Sequence, residues 1–173
     1  MKKFFSILLI SSIFGVMPLI QSCSDDDDTV APVTEVVAND NSFKDFMTWS
    51  KDATRKGADP ALGGMAHGGN DSTVTRNIYY KNGQNPVNGV YPVGTIIVKH
   101  SSNPDKTVNE FTAMVKRGGE FNKEKGGWEY FMLATDGTIG KDGTMEMRGA
   151  NLMNGMCAGC HSAAFSKDYI FTK

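Results

Sequence analysis

Two cysteines and a histidine lie close together near the C-terminus, in the order Cys157-Ala158-Gly159-Cys160-His161. C-x-x-C-H is the attachment signature of c-type haem. On a helical turn the two thiols can each form a thioether with a vinyl group of one porphyrin, and the adjacent histidine can reach the iron. We therefore interpret Cys157 and Cys160 as haem attachment sites and His161 as the proximal iron ligand.

Other sites could use the same cysteines. A thioredoxin-like redox pair is expected near a β-α-β unit, which the strand pattern of this chain does not provide. A structural zinc site needs four ligands, and the sequence contains no second C-x-x-C. A disulfide between Cys157 and Cys160 would leave His161 without a role. The third cysteine of the chain, Cys23, belongs to a separate motif.

The first 22 residues are predicted to be a lipoprotein signal peptide. Two lysines precede an apolar run over residues 4–20, as in a secretory signal. A membrane-spanning helix is the alternative, but it needs about 20 apolar residues and this run is interrupted by serines, a glycine and a proline. The run ends in Leu19-Ile20-Gln21-Ser22-Cys23, which resembles a bacterial lipobox. This pattern predicts cleavage before Cys23 and acylation of that residue.

Residues 23–41 are predicted to be a polar tether. Four consecutive aspartates follow Ser24, and like charges repel each other and extend a chain. A Cys-Ser pair followed by acidic residues also resembles the surface-export signal of Bacteroidota-type lipoproteins. We therefore expect a lipid anchor on the outer membrane as the only membrane attachment, with the domain facing the periplasm or the cell surface.

The remaining residues, 42–173, are long enough for one domain with a real core. The chain of 173 residues carries 18 Lys and Arg against 19 Asp and Glu, which gives a net charge of −1 with neutral histidines. A nucleic-acid-binding protein would need a basic face to meet phosphates, so this class is excluded.

The residue pattern of the domain predicts an α+β fold, mainly an antiparallel β-sheet with flanking helices. A helix is predicted over residues 42–56, because Phe43, Phe46 and Met47 follow helical spacing, and a Gly-rich loop over residues 57–72. Sequential strands with short connections favour antiparallel pairing. The predicted strands, rich in β-branched and aromatic residues, are 73–81, 94–100, 109–117 and 127–135, and a second helix is predicted over residues 150–161.

Classes of c-type cytochrome differ in where along the chain the haem motif lies. Small electron carriers have it near the N-terminus with a later methionine ligand, whereas only twelve residues follow His161 here and none is methionine. Cytochromes c′ have it at the C-terminal end, but their chains form long amphipathic helices, and this one is predicted to form strands.

A set of short segments lies in a characteristic order over most of residues 42–173. In chain order they are the aromatic segment with Trp49, His67-Gly68, Arg76-Asn77-Ile78-Tyr79, residues 91–99, Ala113-Met114-Val115-Lys116, residues 127–131, and the haem motif followed by Asp168-Tyr169-Ile170-Phe171. In these segments the chain resembles the cytochrome P-460 family, which includes the β-sheet cytochromes c′-β. The resemblance implies a single haem c domain of mainly antiparallel sheet, a homodimer, and a five-coordinate iron with an open distal face.

The resemblance also identifies residues of the pocket. Lys99 matches the lysine whose amine is bonded to a meso carbon of the haem in P-460 enzymes, and strand alternation puts it on the same face as Thr95 and Ile97. Thr112 stands where the hydroxylamine-oxidising members carry a distal carboxylate. A threonine cannot act as a base near neutral pH, but Glu110, two residues away on the same strand face, is a candidate substitute.

Several further residues have more than one interpretation. His67 and His100 are candidates for a sixth ligand or a proton donor, with polar loop and exposed strand positions as the alternatives. Met153 and Met156 are expected to pack against the haem. Core positions, of which one or two could cap the distal site, are Phe43, Phe46, Trp128 and Phe131.

Three functions remain open for a mono-haem cytochrome of this kind. An enzyme would oxidise hydroxylamine, with Lys99 cross-linked to the haem and Glu110 as proton acceptor, and would pass electrons to a partner cytochrome that the sequence does not identify. A binding protein would capture nitric oxide, with Lys99 unlinked and an apolar distal cap. A plain electron-transfer cytochrome would require a six-coordinate, low-spin iron.

Overall fold

The computed structural model describes residues 34–57, 67 and 71–172. The predicted signal peptide, Cys23 and the first part of the tether lie outside the described residues, as does most of the predicted loop over residues 57–72.

An antiparallel sheet of six strands forms the centre of the domain. In spatial order the strands are β1, β2, β3, β4, β5 and β8, and every neighbouring pair is antiparallel. Two further strands, β6 and β7, pair as a small hairpin. The strand bounds are β1 Ser50–Lys56, β2 Thr75–Tyr80, β3 Ile96–Ser102, β4 Asn109–Lys116, β5 Trp128–Leu133, β6 Lys141–Asp142, β7 Met145–Glu146 and β8 Arg148–Gly149.

The predicted fold class is confirmed, and the four predicted strands correspond to β2, β3, β4 and β5 within two residues at each end. The predicted helix over residues 42–56 is wrong. Two short 3-10 turns, Asp40–Ser42 and Phe46–Thr48, stand there instead and lead into β1. Asp45 adopts a left-handed conformation (φ 56°) that ends any helix between the turns.

The first face of the sheet carries one hydrophobic core. Val98, Phe111 and Phe131 point to this face, and the two 3-10 turns cover it. Phe43 meets Phe131 with ring centroids 5.0 Å apart, and Phe46 meets Phe111 at 5.8 Å. The spacing of the two phenylalanines is therefore explained by two turns that each bury one ring.

The opposite face carries a second cluster, formed with the C-terminal part of the chain. Ile78, Ile97 and Tyr130 belong to it, together with Ala158 and Ile170. Neighbouring residues of a strand point to opposite faces, so Ile97 lies in this second cluster while Val98 lies in the first.

The haem motif lies in one short helix, α1, Met156–His161, followed by a 3-10 helix, Ser162–Lys167. The helix predicted over residues 150–161 is shorter than expected at its N-terminal end. Met153, Asn154 and Gly155 all have positive φ values, which a right-handed helix cannot accommodate. Among the described residues, no helix is both long and apolar enough to cross a bilayer.

Candidate functional site

A cavity lies between the second face of the sheet and α1. A second cavity beside it shares His67, Met132, Cys157 and His161 with the first. The first cavity is lined mainly by Ile78, Ile97, Lys99, Thr112, Met114 and Tyr130 from the sheet, with Cys157 and His161 from α1.

Cys157 and Cys160 lie three residues apart in α1, a spacing that directs both side chains to the same side of a helix. Both are half-buried free thiols. Burial raises the pKa of the Cys157 thiol. Cys157 lines both cavities and Cys160 lines the second, so both sulfur atoms border the space beside the helix.

His161 is held in one tautomer by the backbone. Its Nδ1 lies 2.8 Å from the carbonyl oxygen of Tyr169, and because a carbonyl can only accept, Nδ1–H is the donor. The lone pair is therefore on Nε2, where an iron ligand needs it. Burial lowers the pKa of His161 to about 4, so the ring is neutral at physiological pH. Tyr130 and Phe171 flank the ring, with centroids 5.5 Å and 5.3 Å away.

Lys99 lies on the cavity wall, on β3, between its cross-strand neighbours Ile78 and Thr112. Lys99 shares the strand face of Ile97, which belongs to the second cluster, so its side chain is directed to the cavity that both residues line. Burial lowers the pKa of Lys99 to about 8, with a further lowering from the nearby Arg76. A large fraction of the amine is therefore neutral near pH 8, and a neutral amine is a nucleophile.

The structure brings Glu110 and His67 together at the edge of the cavities. Glu110 Oε2 lies 3.5 Å from His67 Nδ1. The interaction with His67 lowers the pKa of Glu110, and Lys99 and Arg76 add to this effect. His67 is also anchored through its carbonyl oxygen, which accepts a hydrogen bond from Arg76 Nε. Two of the sequence candidates, from a loop and a strand, thus form one acid–base pair.

The remaining candidates are divided between the two faces. Thr112 is buried and lines the main cavity, opposite Lys99 on the neighbouring strand. His100 instead stacks on Phe111, with ring centroids 4.3 Å apart, and its Nε2 lies 2.8 Å from Asn109 Oδ1. Strand alternation already assigns His100 to the face opposite Lys99.

Met153 and Met156 are exposed and line the second cavity. The predicted core residues Phe43, Phe46, Trp128 and Phe131 are all buried, and of these Phe131 also lines the main cavity. Tyr130 and the Tyr169 carbonyl were not among the predicted site residues, and no pattern of residue types identifies a backbone acceptor.

The pH dependence of stability should report the state of His67. Burial lowers its pKa below the ordinary 6.5, although the Glu110 carboxylate acts in the opposite direction and Lys99 and Arg76 add to the lowering. As the pH falls below 6.5 the unfolded chain takes up the proton before the folded one, so stability decreases with falling pH in this range. Urea unfolding of the haem-loaded protein, followed by haem absorbance between pH 7 and 5, should show this decrease.

In the variant His67→Asn that part of the pH dependence should disappear. The matched variant His100→Asn, altered outside the cavity, should keep it. An equal pH dependence in wild type and His67→Asn would contradict the prediction.

The donors of the site fit a haem group. The cavity is mostly apolar, two thiols and the Nε2 lone pair of a neutral histidine border it, and Lys99 and Thr112 add polar groups to one wall. The hydroxyl of Tyr130 is buried and finds no hydrogen-bond partner among the described residues. A buried polar atom without a partner in the protein is commonly satisfied by a ligand.

Comparison with known proteins gives one finding. The family model described as Cytochrome P460 matches residues 42–172, which is most of the chain. No curated protein and no solved structure matches the chain significantly.

Proposed function

Because the chain belongs to the cytochrome P460 family and is a haem-binding cytochrome, we propose that it carries one haem c that binds or redox-transforms nitric oxide or hydroxylamine. Cys157 and Cys160 would form the thioethers, and His161 would be the axial ligand of a five-coordinate iron. A haem iron with an open position supplies the binding site for a small ligand and exchanges electrons with it.

The pair formed by His67 and Glu110 beside Lys99 is the observation that favours a redox transformation. With the proton on His67 Nδ1, 3.5 Å from the Glu110 carboxylate, Nε2 would carry a lone pair that can accept a proton. Burial keeps this ring neutral near pH 7 by lowering its pKa. Oxidation of hydroxylamine releases protons and electrons, so a proton acceptor at the cavity serves this reaction. The electrons would pass to an external acceptor, a partner cytochrome.

Capture of nitric oxide is the second candidate, and Thr112 favours it. This side chain stands where the hydroxylamine-oxidising relatives carry a carboxylate, and it has no basic group near neutral pH. Ile78, Ile97 and Met114 give the cavity wall around it an apolar surface. An uncharged diatomic ligand can bind beside an apolar wall, and its binding to the iron requires no proton transfer from the protein.

The optical spectrum of the purified, haem-loaded protein separates these functions. A strongly red-shifted Soret band would indicate the Lys99 cross-link and the enzyme. A high-spin spectrum without that shift would indicate nitric oxide binding, and a low-spin spectrum would indicate a six-coordinate electron-transfer cytochrome and contradict the proposal.

The rate of hydroxylamine oxidation tests the role of the acid–base pair formed by His67 and Glu110. In the enzyme, Glu110→Gln should slow hydroxylamine oxidation measured with a dye as electron acceptor, because the neutral amide no longer orients His67 as a carboxylate does. Glu146→Gln, at an exposed glutamate of β7, is the matched control and should leave the rate unchanged.

The location and assembly of the protein are part of the same proposal. The lipobox-like segment ending at Cys23 supports an acylated N-terminus anchored in the outer membrane, with the domain on the periplasmic or outer side. The lipid would be its only membrane attachment. The family resemblance supports a homodimer.

A further inference from the structure

The chain segment that follows the haem motif is fixed by a buried ion pair. Lys116 Nζ, at the end of β4, lies 2.6 Å and 2.8 Å from the two carboxylate oxygens of Asp168. Both side chains are more than nine-tenths buried. The backbone N–H of Tyr91 donates to the same carboxylate at 2.8 Å, and Trp128 Nε1 donates to the Asp168 carbonyl oxygen at 2.8 Å. Asp168 is therefore held from two strands and one loop.

The backbone at this point has an unusual conformation. Asp168 and Tyr169 have φ values of 52° and 66°, so two successive residues that are not glycine lie in the left-handed region. Such residues are sterically unfavourable and persist only where their surroundings hold them. The backbone N–H groups of Asp168 and Tyr169 donate to the carbonyl oxygens of Phe165 and Ala164, and the Tyr169 hydroxyl donates to the Glu124 carbonyl oxygen. The contacts of Asp168 to Lys116, Tyr91 and Trp128 add the buried side-chain interactions that hold this turn.

The turn presents the acceptor on which the axial histidine depends. The Tyr169 carbonyl oxygen, one residue beyond Asp168, accepts the hydrogen bond from His161 Nδ1. A hydrogen bond at the second ring nitrogen fixes the orientation and tautomer of a metal-bound histidine and raises its basicity. The position of the Tyr169 carbonyl therefore affects how strongly His161 binds iron.

We propose that Lys116 and Asp168 are positioning residues for His161: their ion pair holds the turn at residues 168 and 169, and the turn holds the Tyr169 carbonyl against the histidine Nδ1–H. This inference rests on the proposed axial role of His161 and is independent of which small ligand the haem takes. Through this role, two residues that do not line the main cavity would influence the bond between His161 and the haem iron.

A second buried carboxylate provides a comparison within the same protein. Glu129 of β5 accepts hydrogen bonds from Arg148 Nε and Nη2 at 2.8 Å and 3.0 Å. Arg148 also donates to the Ala38 carbonyl oxygen at 2.8 Å, so this pair fixes the N-terminal segment. Among the described residues, the Glu129 carboxylate accepts hydrogen bonds from Arg117 and Arg148 and from neither His161 nor the turn. Loss of its charge should affect stability alone.

The test compares Asp168→Asn with Glu129→Gln in the haem-loaded protein. Each change removes one buried negative charge and keeps the shape of the side chain. Three quantities are measured: the thermal unfolding midpoint, the haem reduction potential, and the iron–histidine stretching band in the resonance Raman spectrum of the reduced protein.

Both variants should unfold at lower temperature than wild type. Only Asp168→Asn should also shift the iron–histidine band to lower frequency and the reduction potential upwards, because a less basic imidazole stabilises the oxidised iron less well. If Asp168→Asn fails to fold, Lys116→Gln, which keeps a hydrogen-bond donor but removes the charge, should give a smaller shift in the same direction.

Destabilisation by Asp168→Asn or Lys116→Gln with an unchanged band and potential would overturn the proposal, since the pair would then be purely structural. Absence of the iron–histidine band in the reduced wild-type protein would instead overturn the axial role of His161, and the positioning role with it. The two failures are therefore distinguishable in the same spectra.

Discussion

Replacing both Cys157 and Cys160 with alanine should abolish covalent haem attachment completely. The thioether bonds require both thiols, and α1 carries them three residues apart on the border of the cavities. The measurement is a haem stain of the denatured protein after electrophoresis, together with the intact mass of the mature chain. The wild-type mass should exceed that of the polypeptide by one haem, and the mass of the variant should not.

Cys23→Ala is the matched control, because it removes the third cysteine of the chain and leaves the haem motif unchanged. This variant should keep its haem and should no longer fractionate with membranes. Haem that stays on the double variant after denaturation would contradict the assignment of both thioethers.

Lys99→Arg should convert a cross-linked protein into an ordinary high-spin c-type cytochrome. The guanidinium keeps the positive charge but stays protonated and is a poor nucleophile, whereas burial lowers the pKa of Lys99 to about 8. If the wild-type Soret band is strongly red-shifted, the variant should lose that shift and its hydroxylamine oxidation should fall to background. Binding of nitric oxide should persist in the variant.

Peptide mapping gives an independent measurement of the same bond. Trypsin does not cleave after a lysine whose amine is bonded to haem, so digestion of wild type should give one haem-bearing species that joins β3 to the haem motif. Lys141→Arg, at an exposed lysine of β6, is the control and should alter neither the spectrum nor the sites of tryptic cleavage. Identical spectra of wild type and Lys99→Arg would show that Lys99 is only a charge at the pocket.

The sheet was predictable because its interior strands have strong local signals. β3 begins with Ile-Ile-Val, and β4 contains Phe111, Thr112 and Val115, which are β-branched or aromatic. Neighbouring residues of both strands alternate between two buried environments, so both the strands and the face of Lys99 follow from the sequence. The segment before β2 carries no such signal. β1 is an edge strand with mostly exposed polar residues. Ahead of it, the helical spacing of Phe43, Phe46 and Met47 is equally compatible with two 3-10 turns.

The site was predictable where chemistry resides in adjacent residues and unpredictable where it depends on long-range contacts. The haem motif is a local pattern. The approach of His67 to Glu110 joins residues 43 positions apart, and the Arg76 side chain anchors His67 by donating from Nε to its carbonyl oxygen. The hydrogen bond that orients His161 uses a backbone carbonyl group, which every residue possesses. The left-handed conformation of Asp168 and Tyr169, which places this carbonyl, cannot be predicted from their residue types.

The position of β4 has a mechanical consequence. Its first half carries Thr112 and Glu110 beside the two cavities, and its last residue, Lys116, pairs with Asp168, which would support the iron-ligating side. The seven residues from Glu110 to Lys116 span about 20 Å of extended strand. Since β3 and β5 are hydrogen-bonded to its two edges, β4 cannot slide without breaking both ladders. The strand would thus keep a constant distance between the side of the site that carries Glu110 and Thr112 and the side that carries His161. Exchanging side chains along β4 would then alter reactivity without changing that distance.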